Sequence, residues 1–259
     1  MAENSNLSGV RRRKIAELVE QHGSVGVRDL CEHFGMSEAT IRRDLRELGE
    51  QGLVTRTHGG VMINSRVMSD LPNEERKLVA ADAKRRIGLA AIEMLTGDEV
   101  VFLDAGTTAL CLAENAHLRP DCRYVTTSLG VARRLKLQDI RSFFMIGGSY
   151  QSVNDSFAGI LAISALRTLS FDIAFLCCSA IDVTHRSIAI GDEAYSQVQT
   201  EAVASARQKI VVAHHDKFAA NAFVRTASFD QLDGIVTNRE LDEDVVARLS
   251  STDLEVTLA

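Results

Sequence analysis

The chain has 259 residues, 46% apolar and 25% charged, with two prolines and five cysteines. That is the balance of a globular protein with enough chain for one large domain or two small ones, and it excludes collagen, a coiled-coil rod and a disulfide-stapled miniprotein. Net charge is −6, unevenly spread: residues 1–60 hold nine Lys/Arg against nine Asp/Glu, so all the excess acid falls on the remainder.

No apolar run approaches the ~18 residues of a membrane span, and residues 1–14 carry charge without an apolar stretch behind it. The expectation is an intracellular, cytoplasmic protein with no membrane partner. Cys31, Cys111, Cys122, Cys177 and Cys178 lack metal-ligand spacing, so neither a disulfide framework nor a zinc site is expected. Cys177 and Cys178 read as small apolar residues of a buried strand.

In chain order, a helix is expected over about 10–21, closed by Gly23. A short helix over about 27–34 follows, with Val27, Leu30, Cys31 and Phe34 on one stripe. Gly35 and Met36 make a turn. Ser37 caps a third helix over about 38–51. Its Ile41, Leu45 and Leu48 form one stripe, and Ala39, Arg42, Arg43 and Arg46 lie opposite. Residues 53–56 and 61–63 read as β-strands around the turn 57–60. Residues 64–73, containing Pro72, read as a linker.

Beyond it the periodicity changes. A long helix over about 74–95 is followed by apolar strand-like runs at 100–103, 124–126, 143–146, 173–177, 210–213, 234–236 and 254–257. Helical stretches at 108–116, 130–136, 157–169, 193–207 and 242–249 alternate with them. Alternating units of this kind predict a mostly parallel sheet covered on both faces, with ligands at the carboxyl ends of its strands.

The third helix is the expected DNA reader. Arginine can bridge guanine O6 and N7 or hold phosphates, and Ser37 and Thr40 stand at the helix N-terminus. Ser37, Thr40, Arg42, Arg43 and Arg46 are the candidates on this helix, with Arg56 and His58 in the hairpin. Residues 8–63 resemble the winged helix-turn-helix of DeoR-type bacterial transcription regulators, with the helix-turn-helix at about 25–44. The string Ser37-Glu-Ala-Thr-Ile-Arg-Arg-Asp-Leu45, then Gly52-Leu53, Arg56 and His58-Gly59-Gly60, carries the resemblance. It implies wing contact from Arg56 and His58 with the DNA backbone or minor groove. Gly26 stands where that family usually has a capping Ser or Thr.

In residues 74–259, Asp104-Ala-Gly-Thr-Thr108 falls between a strand and a helix. Gly106, Thr107 and Thr108 there offer N–H groups and hydroxyls to an anion. Thr127-Ser128 and Gly147-Gly148 follow two further strands, and the expectation is one shared crevice. Lys217 adds a cation, and Asp104 is expected to accept from a sugar hydroxyl. Glu75-Arg76, Lys84-Arg-Arg-Ile-Gly88, Leu103-Asp-Ala-Gly-Thr-Thr108, Ile146-Gly-Gly148 and Asp216-Lys-Phe218 are similar to the DeoR effector domain. That domain is similar in turn to ribose-5-phosphate isomerase and binds phosphorylated sugars. Asp182 joins the candidate effector set, and the family often has Asp where His214 stands and Asn where Thr127 stands.

The fold class implied is an α+β winged helix-turn-helix followed by an α/β, mostly parallel sheet domain resembling ribose-5-phosphate isomerase. The implied function is a homo-dimeric or homo-tetrameric regulator, most simply a repressor of a carbohydrate-use operon. Its partners are operator DNA and a phosphorylated sugar, with no cofactor and no metal. A sugar-phosphate isomerase is the alternative, with Asp182 or Glu193 as base. It is disfavoured because no lysine occurs over 178–208 and Gly191 is the only glycine there. Adjacent His214 and His215, placed on a strand, would point to opposite faces and could not share a metal ion.

Overall fold

The computed structural model describes residues 11–12, 14–16, 18–19, 24–50, 54–56, 60–63 and 73–259. The close of the first helix at Gly23, the hairpin residue His58 and the linker residues 64–72 lie outside these.

The described residues among 11–19 are helical and bury Ile15 and Val19. A short strand absent from the sequence expectation, β1 (Ser24–Gly26), precedes α1 (Val27–Phe34). Helix α1 ends at Gly35 in the left-handed region (φ 61°), where glycine carries no Cβ penalty. Helix α2 (Glu38–Glu50) turns Ile41, Leu45 and Leu48 inward against Val27 and Leu30. Each fully buried side chain of that size is worth about 1.5–3 kcal/mol. Strands β2 (Val54–Arg56) and β3 (Gly60–Ile63) pair antiparallel, and β3 also pairs with β1. Gly60 is required there, because a Cβ would lie 2.5 Å from the Val25 carbonyl oxygen.

The long helix expected over 74–95 is two. Helix α3 (Asn73–Leu78) and helix α4 (Ala81–Glu93) are separated at Ala80, which is left-handed with φ 49°. Alanine favours helix, so local propensity gives no warning of this break. Tertiary packing of Val79 decides it.

The second domain is built on seven parallel strands: β4 (Val100–Leu103), β5 (Arg123–Thr126), β6 (Phe143–Met145), β9 (Phe171–Leu176), β12 (Ala206–Val212), β14 (Gly234–Thr237) and β15 (Glu255–Leu258). Their order across the sheet is β15-β14-β12-β9-β4-β5-β6. These are the seven runs expected from sequence. Val101, Leu103, Ile173 and Phe175 face a core with α4, α5 (Thr107–Glu114) and α6 (Leu129–Leu137). Phe102, Ala174, Leu176 and Val211 face the opposite core with α7 (Ile160–Leu166), α8 (Glu193–Ser205) and α9 (Glu243–Leu249). Both faces of the central strands are covered, which is why β4, β9 and β14 read as largely apolar runs.

The remaining strands are short. Strands β7 (Ser149–Gln151) and β8 (Ser156–Ala158) form a hairpin, so the start of the helix expected at 157 is a strand. Strands β10 (Ala180–Asp182), β11 (Ser187–Ile190) and β13 (Val224–Ser228) form an antiparallel sheet. No described helix is long and apolar enough to cross a membrane.

Candidate functional site: a DNA-reading helix and an anion cleft

On α2 the arginines and the acids among them have separate tasks. Asp44 is 4% exposed and accepts from Arg11 Nε at 2.6 Å. Glu47 pairs with Arg12. Two of the three acids interleaved with the arginines are thereby engaged by the first helix, and Arg11 and Arg12 hold the domain together. Arg42 pairs with Glu38 at 2.7 Å one turn away, whereas Arg43 is exposed and 3.6 Å from Glu47. Arg46 is exposed as well. Ser37 Oγ and Thr40 Oγ1 lie 2.9 Å apart at the exposed helix N-terminus. Thus Ser37, Thr40, Arg42, Arg43 and Arg46 share one solvent-facing element, while Ile41, Leu45 and Leu48 fix its opposite face. Arg56 stands in β2, opposite Val61 of β3.

In the second domain the strand order reverses between β4 and β9. Strands β5 and β6 continue to one side, and β12, β14 and β15 to the other. This is the switch point at which open parallel sheets leave a crevice. A cleft of about 640 Å³, counting the solvent at its mouth, lies there. Asp104 after β4, Cys177 after β9 and His214 after β12 line it, all at strand carboxyl ends.

The floor is a buried hydrogen-bond network. Asp104 is fully buried and accepts from the backbone N–H of Ala105 and Cys177, both at 2.8 Å. It also accepts from Gln199 Nε2 at 2.7 Å and from the Tyr195 hydroxyl. Burial pushes its carboxyl up, and these hydrogen bonds oppose that shift. With four protein donors, Asp104 has no acceptor position left for a sugar hydroxyl. It holds the loop before α5 instead. Gly106 lets that loop approach β9 closely, since a Cβ would lie 2.8 Å from Cys177 Sγ. Thr107 and Thr108 follow, open α5 and line the cleft.

Three basic side chains converge on the same cleft: Arg76 of α3, Lys84 of α4 and Lys217. Lys84 is 3% exposed, and its Nζ donates to the Arg76 carbonyl at 2.6 Å. Burial first, and then the charge of Lys217, lowers its ammonium to about 7. Burial likewise lowers Lys217 and Arg76. Asp104 and Asp192 line the same cleft, but Asp104 is held by four protein donors, and three basic groups crowded into a partly dry cleft favour an anion.

His214 is 1% exposed, and burial takes its imidazole down to about 3, so it is neutral at physiological pH. Its Nε2 has no hydrogen-bond partner among the described residues, and its Nδ1 has only the Asp216 carboxylate at 3.4 Å. His214 and His215 lie beyond β12 rather than on it. His215 turns to Asn238, with Nδ1 2.7 Å from the amide Nδ2, and only His214 faces the cleft.

Of the effector candidates expected from sequence, Asp104, Gly106, Thr107, Thr108 and Lys217 line the cleft. The others lie elsewhere. Thr127 is buried beneath it, with Oγ1 3.0 Å from the Tyr195 hydroxyl. Ser128 caps α6, accepting from Val131 N at 3.3 Å. Gly147 and Gly148 lead into β7, and a Cβ on Gly148 would lie 2.5 Å from the Ala158 carbonyl. Asp182 ends β10 and accepts from His185 N at 2.8 Å. Of the three loops, only the first borders the cleft, and the second supports it through Tyr195. Sequence reasoning passed over Arg76, Lys84, Asn154, Tyr195 and Gln199. Lys84 did leave a signal: with Ile87, Gly88 and Ala91 it occupies the buried stripe of its helix, where a lysine is out of place.

An exposed arginine-bearing helix in a winged helix-turn-helix, joined to an α/β domain with a cationic cleft, defines a DNA-binding regulator with a small-molecule sensor. The comparisons with known proteins agree. Residues 11–67 match the DeoR-like helix-turn-helix domain, and residues 79–239 match the DeoR C terminal sensor domain. The chain belongs to the DeoR family of transcription regulators, and these are DNA-binding proteins rather than enzymes. It is 34% identical over 228 residues to the transcriptional repressor AccR of Agrobacterium fabrum, covering 88% of each chain. It is 32% identical over 230 residues to the glycerol-3-phosphate regulon repressor of Escherichia coli, covering 88% of this chain and 90% of that one. Among solved structures, ribose 5-phosphate isomerase A of Methanocaldococcus jannaschii aligns with 53% of this chain and 54% of its own, at 16% identity and TM-score 0.41.

Proposed function

We propose that this regulator is a cytoplasmic repressor of a carbohydrate-catabolism operon, released from its operator by a phosphorylated sugar held in the cleft. The observation that carries this reading is the convergence of Arg76, Lys84 and Lys217 on the N-terminus of α5. Three cations and a set of backbone N–H groups reward a phosphate, and neutral His214, with Nδ1 toward Asp216, offers Nε2 as an acceptor to the hydroxylated remainder. A relative named for glycerol-3-phosphate supports a phosphorylated effector.

Ser37, Thr40, Arg42, Arg43 and Arg46 would enter the major groove, with Arg56 and His58 at the wing. A single module of this kind makes a small interface, so a homo-dimer or homo-tetramer would pair half-sites. Large apolar side chains in the open support assembly: Phe144 on the edge strand β6 is 52% exposed, and Ile160 and Leu161 at the start of α7 are 72% and 70% exposed.

The test is calorimetry with matched sugars and sugar phosphates. A charge-assisted hydrogen bond contributes roughly 1.5–3 kcal/mol, so a phosphate ester should bind at least about tenfold tighter than its free sugar. Equal affinity for the two would refute the phosphate cradle.

A further inference from the structure

Val79 belongs by sequence to the second domain, yet it is 1% exposed and packs into the core of the winged helix with Leu30, Ile41 and Leu45. Ala80 packs against the same core. Three residues before Val79 stands Arg76 and five after it Lys84, both in the wall of the cleft. One short run of chain therefore touches the effector site and the DNA-binding core.

The run is held tightly at the cleft. Arg76 Nη2 donates to the Val153 carbonyl and to Asn154 Oδ1, both at 2.9 Å, and Asn73 Nδ2 donates to the Asn154 carbonyl, also at 2.9 Å. Lys84 donates to the Arg76 carbonyl and so clasps the two ends of the run together. Three residues span at most about 11 Å, and α3 makes Asn73–Leu78 helical. A shift of Arg76 therefore cannot be absorbed before Val79. The one irregular joint is Ala80, with φ 49° and ψ 39°, a left-handed conformation that residues bearing a Cβ rarely adopt. Backbone held in such a region persists only where its surroundings over-determine it.

We infer that Asn73–Lys84 is the strap through which the cleft governs the DNA-binding domain, with Val79 as the plug that seats in the winged-helix core. This rests on the reading of the cleft as the effector site. An anion competes with the Val153 and Asn154 oxygens for the Arg76 guanidinium and draws the Lys84 ammonium off the Arg76 carbonyl. The clasp opens, α3 shifts as a unit, and the seat of Val79 changes. The effector favours the shifted state because only there do both cations reach it fully, which is the differential affinity that any population shift requires.

Hydrogen exchange on the full chain, with inorganic phosphate as the probe, tests the strap. Phosphate should protect the amides of Thr107–Cys111 and also alter exchange in α1 and α2. In Val79→Ala, protection at Thr107–Cys111 should persist while the change in α1 and α2 is lost. Val79→Ile, which keeps an apolar plug, should retain both. Ala80→Gly loosens the joint without removing any core methyl, and it should weaken the distant response even if Val79→Ala does not fold. A purely structural Val79 would lower the melting temperature and leave the distant response whole, which overturns the strap. So does protection of Thr107–Cys111 in the native protein with α1 and α2 unmoved. No protection at Thr107–Cys111 refutes the cleft reading itself, and the strap falls with it.

Discussion

Lys84 concentrates the chemistry of the sensor in one side chain. Its ammonium is lowered to about 7 by burial and by Lys217, so near neutrality the empty cleft holds it only partly protonated. A bound phosphate ester favours the charged form and raises that value, so binding takes up a proton. Above about pH 7 the affinity for a phosphate ester should fall as pH rises, and the binding heat should vary with the ionisation enthalpy of the buffer. Lys84→Met should bind more weakly with neither dependence, and an unchanged pH profile in that variant would remove Lys84 from the site. The same lowered value bears on stability. Between about 7 and the ordinary lysine range the unfolded chain binds more protons than the folded one, so the Lys84 contribution to stability increases with pH across that window. Tyr195 acts differently, through Asp104 and Thr127. Tyr195→Phe leaves both without that partner, at a cost of about 1–3 kcal/mol. Effector affinity and melting temperature should fall together while operator affinity in the absence of effector stays put. Asp104-Ala-Gly-Thr-Thr108 was legible as part of the site because a strand-loop-helix junction with glycine and threonine has local chemistry. Arg76 and Lys84 lie 20–28 residues before Asp104 in chain order, and only the tertiary fold brings them to it.

Among the elements, α2 was the most legible. Its apolar stripe settles which face is buried, and its arginines lie on the other. Glu38, Asp44 and Glu47 are interleaved with those arginines. The structure gives Asp44 to Arg11 and shares Glu47 between Arg12 and Arg43, and Arg43 and Arg46 remain exposed. Arg43→Ala or Arg46→Ala should therefore weaken operator binding by about 1–3 kcal/mol if the side chain reads a base. A phosphate contact would instead reduce the salt slope by about one. Asp44→Ala should act on stability, because it leaves Arg11 without its carboxylate. A loss of roughly 1–3 kcal/mol is expected in denaturant unfolding of the full chain. The central strands β4, β9 and β14 were legible for a physical reason: buried on both faces, they are largely apolar runs. Strands β7, β8, β10, β11 and β13, of three to five residues, are too short for any period to register. The break at Ala80 was invisible because Lys77, Leu78, Ala80 and Ala81 favour helix, and the packing of Val79 overrides that preference.

At the scale of the whole molecule, the acidic second domain surrounds a cationic cleft, and the near-neutral first domain presents arginines on one helix. The two charge patterns answer to different partners, and the net charge of −6 conceals both. Full-length protein should sediment on its operator as a dimer or larger assembly, and a monomer at saturation would contradict the pairing of half-sites. The central claim is that an anion in the cleft controls DNA binding. Operator titration of the full chain at fixed salt, with and without a panel of sugar phosphates and their free sugars, tests it most directly. At least one phosphate ester should weaken operator binding by about fivefold or more, the scale of ordinary allosteric coupling. Its free sugar should have no effect, and Lys84→Met or Lys217→Ala should cancel the response, with Lys217→Ala leaving operator affinity in the absence of effector intact. A response to the free sugar as large as that to its phosphate, or a response that survives both substitutions, would contradict the account.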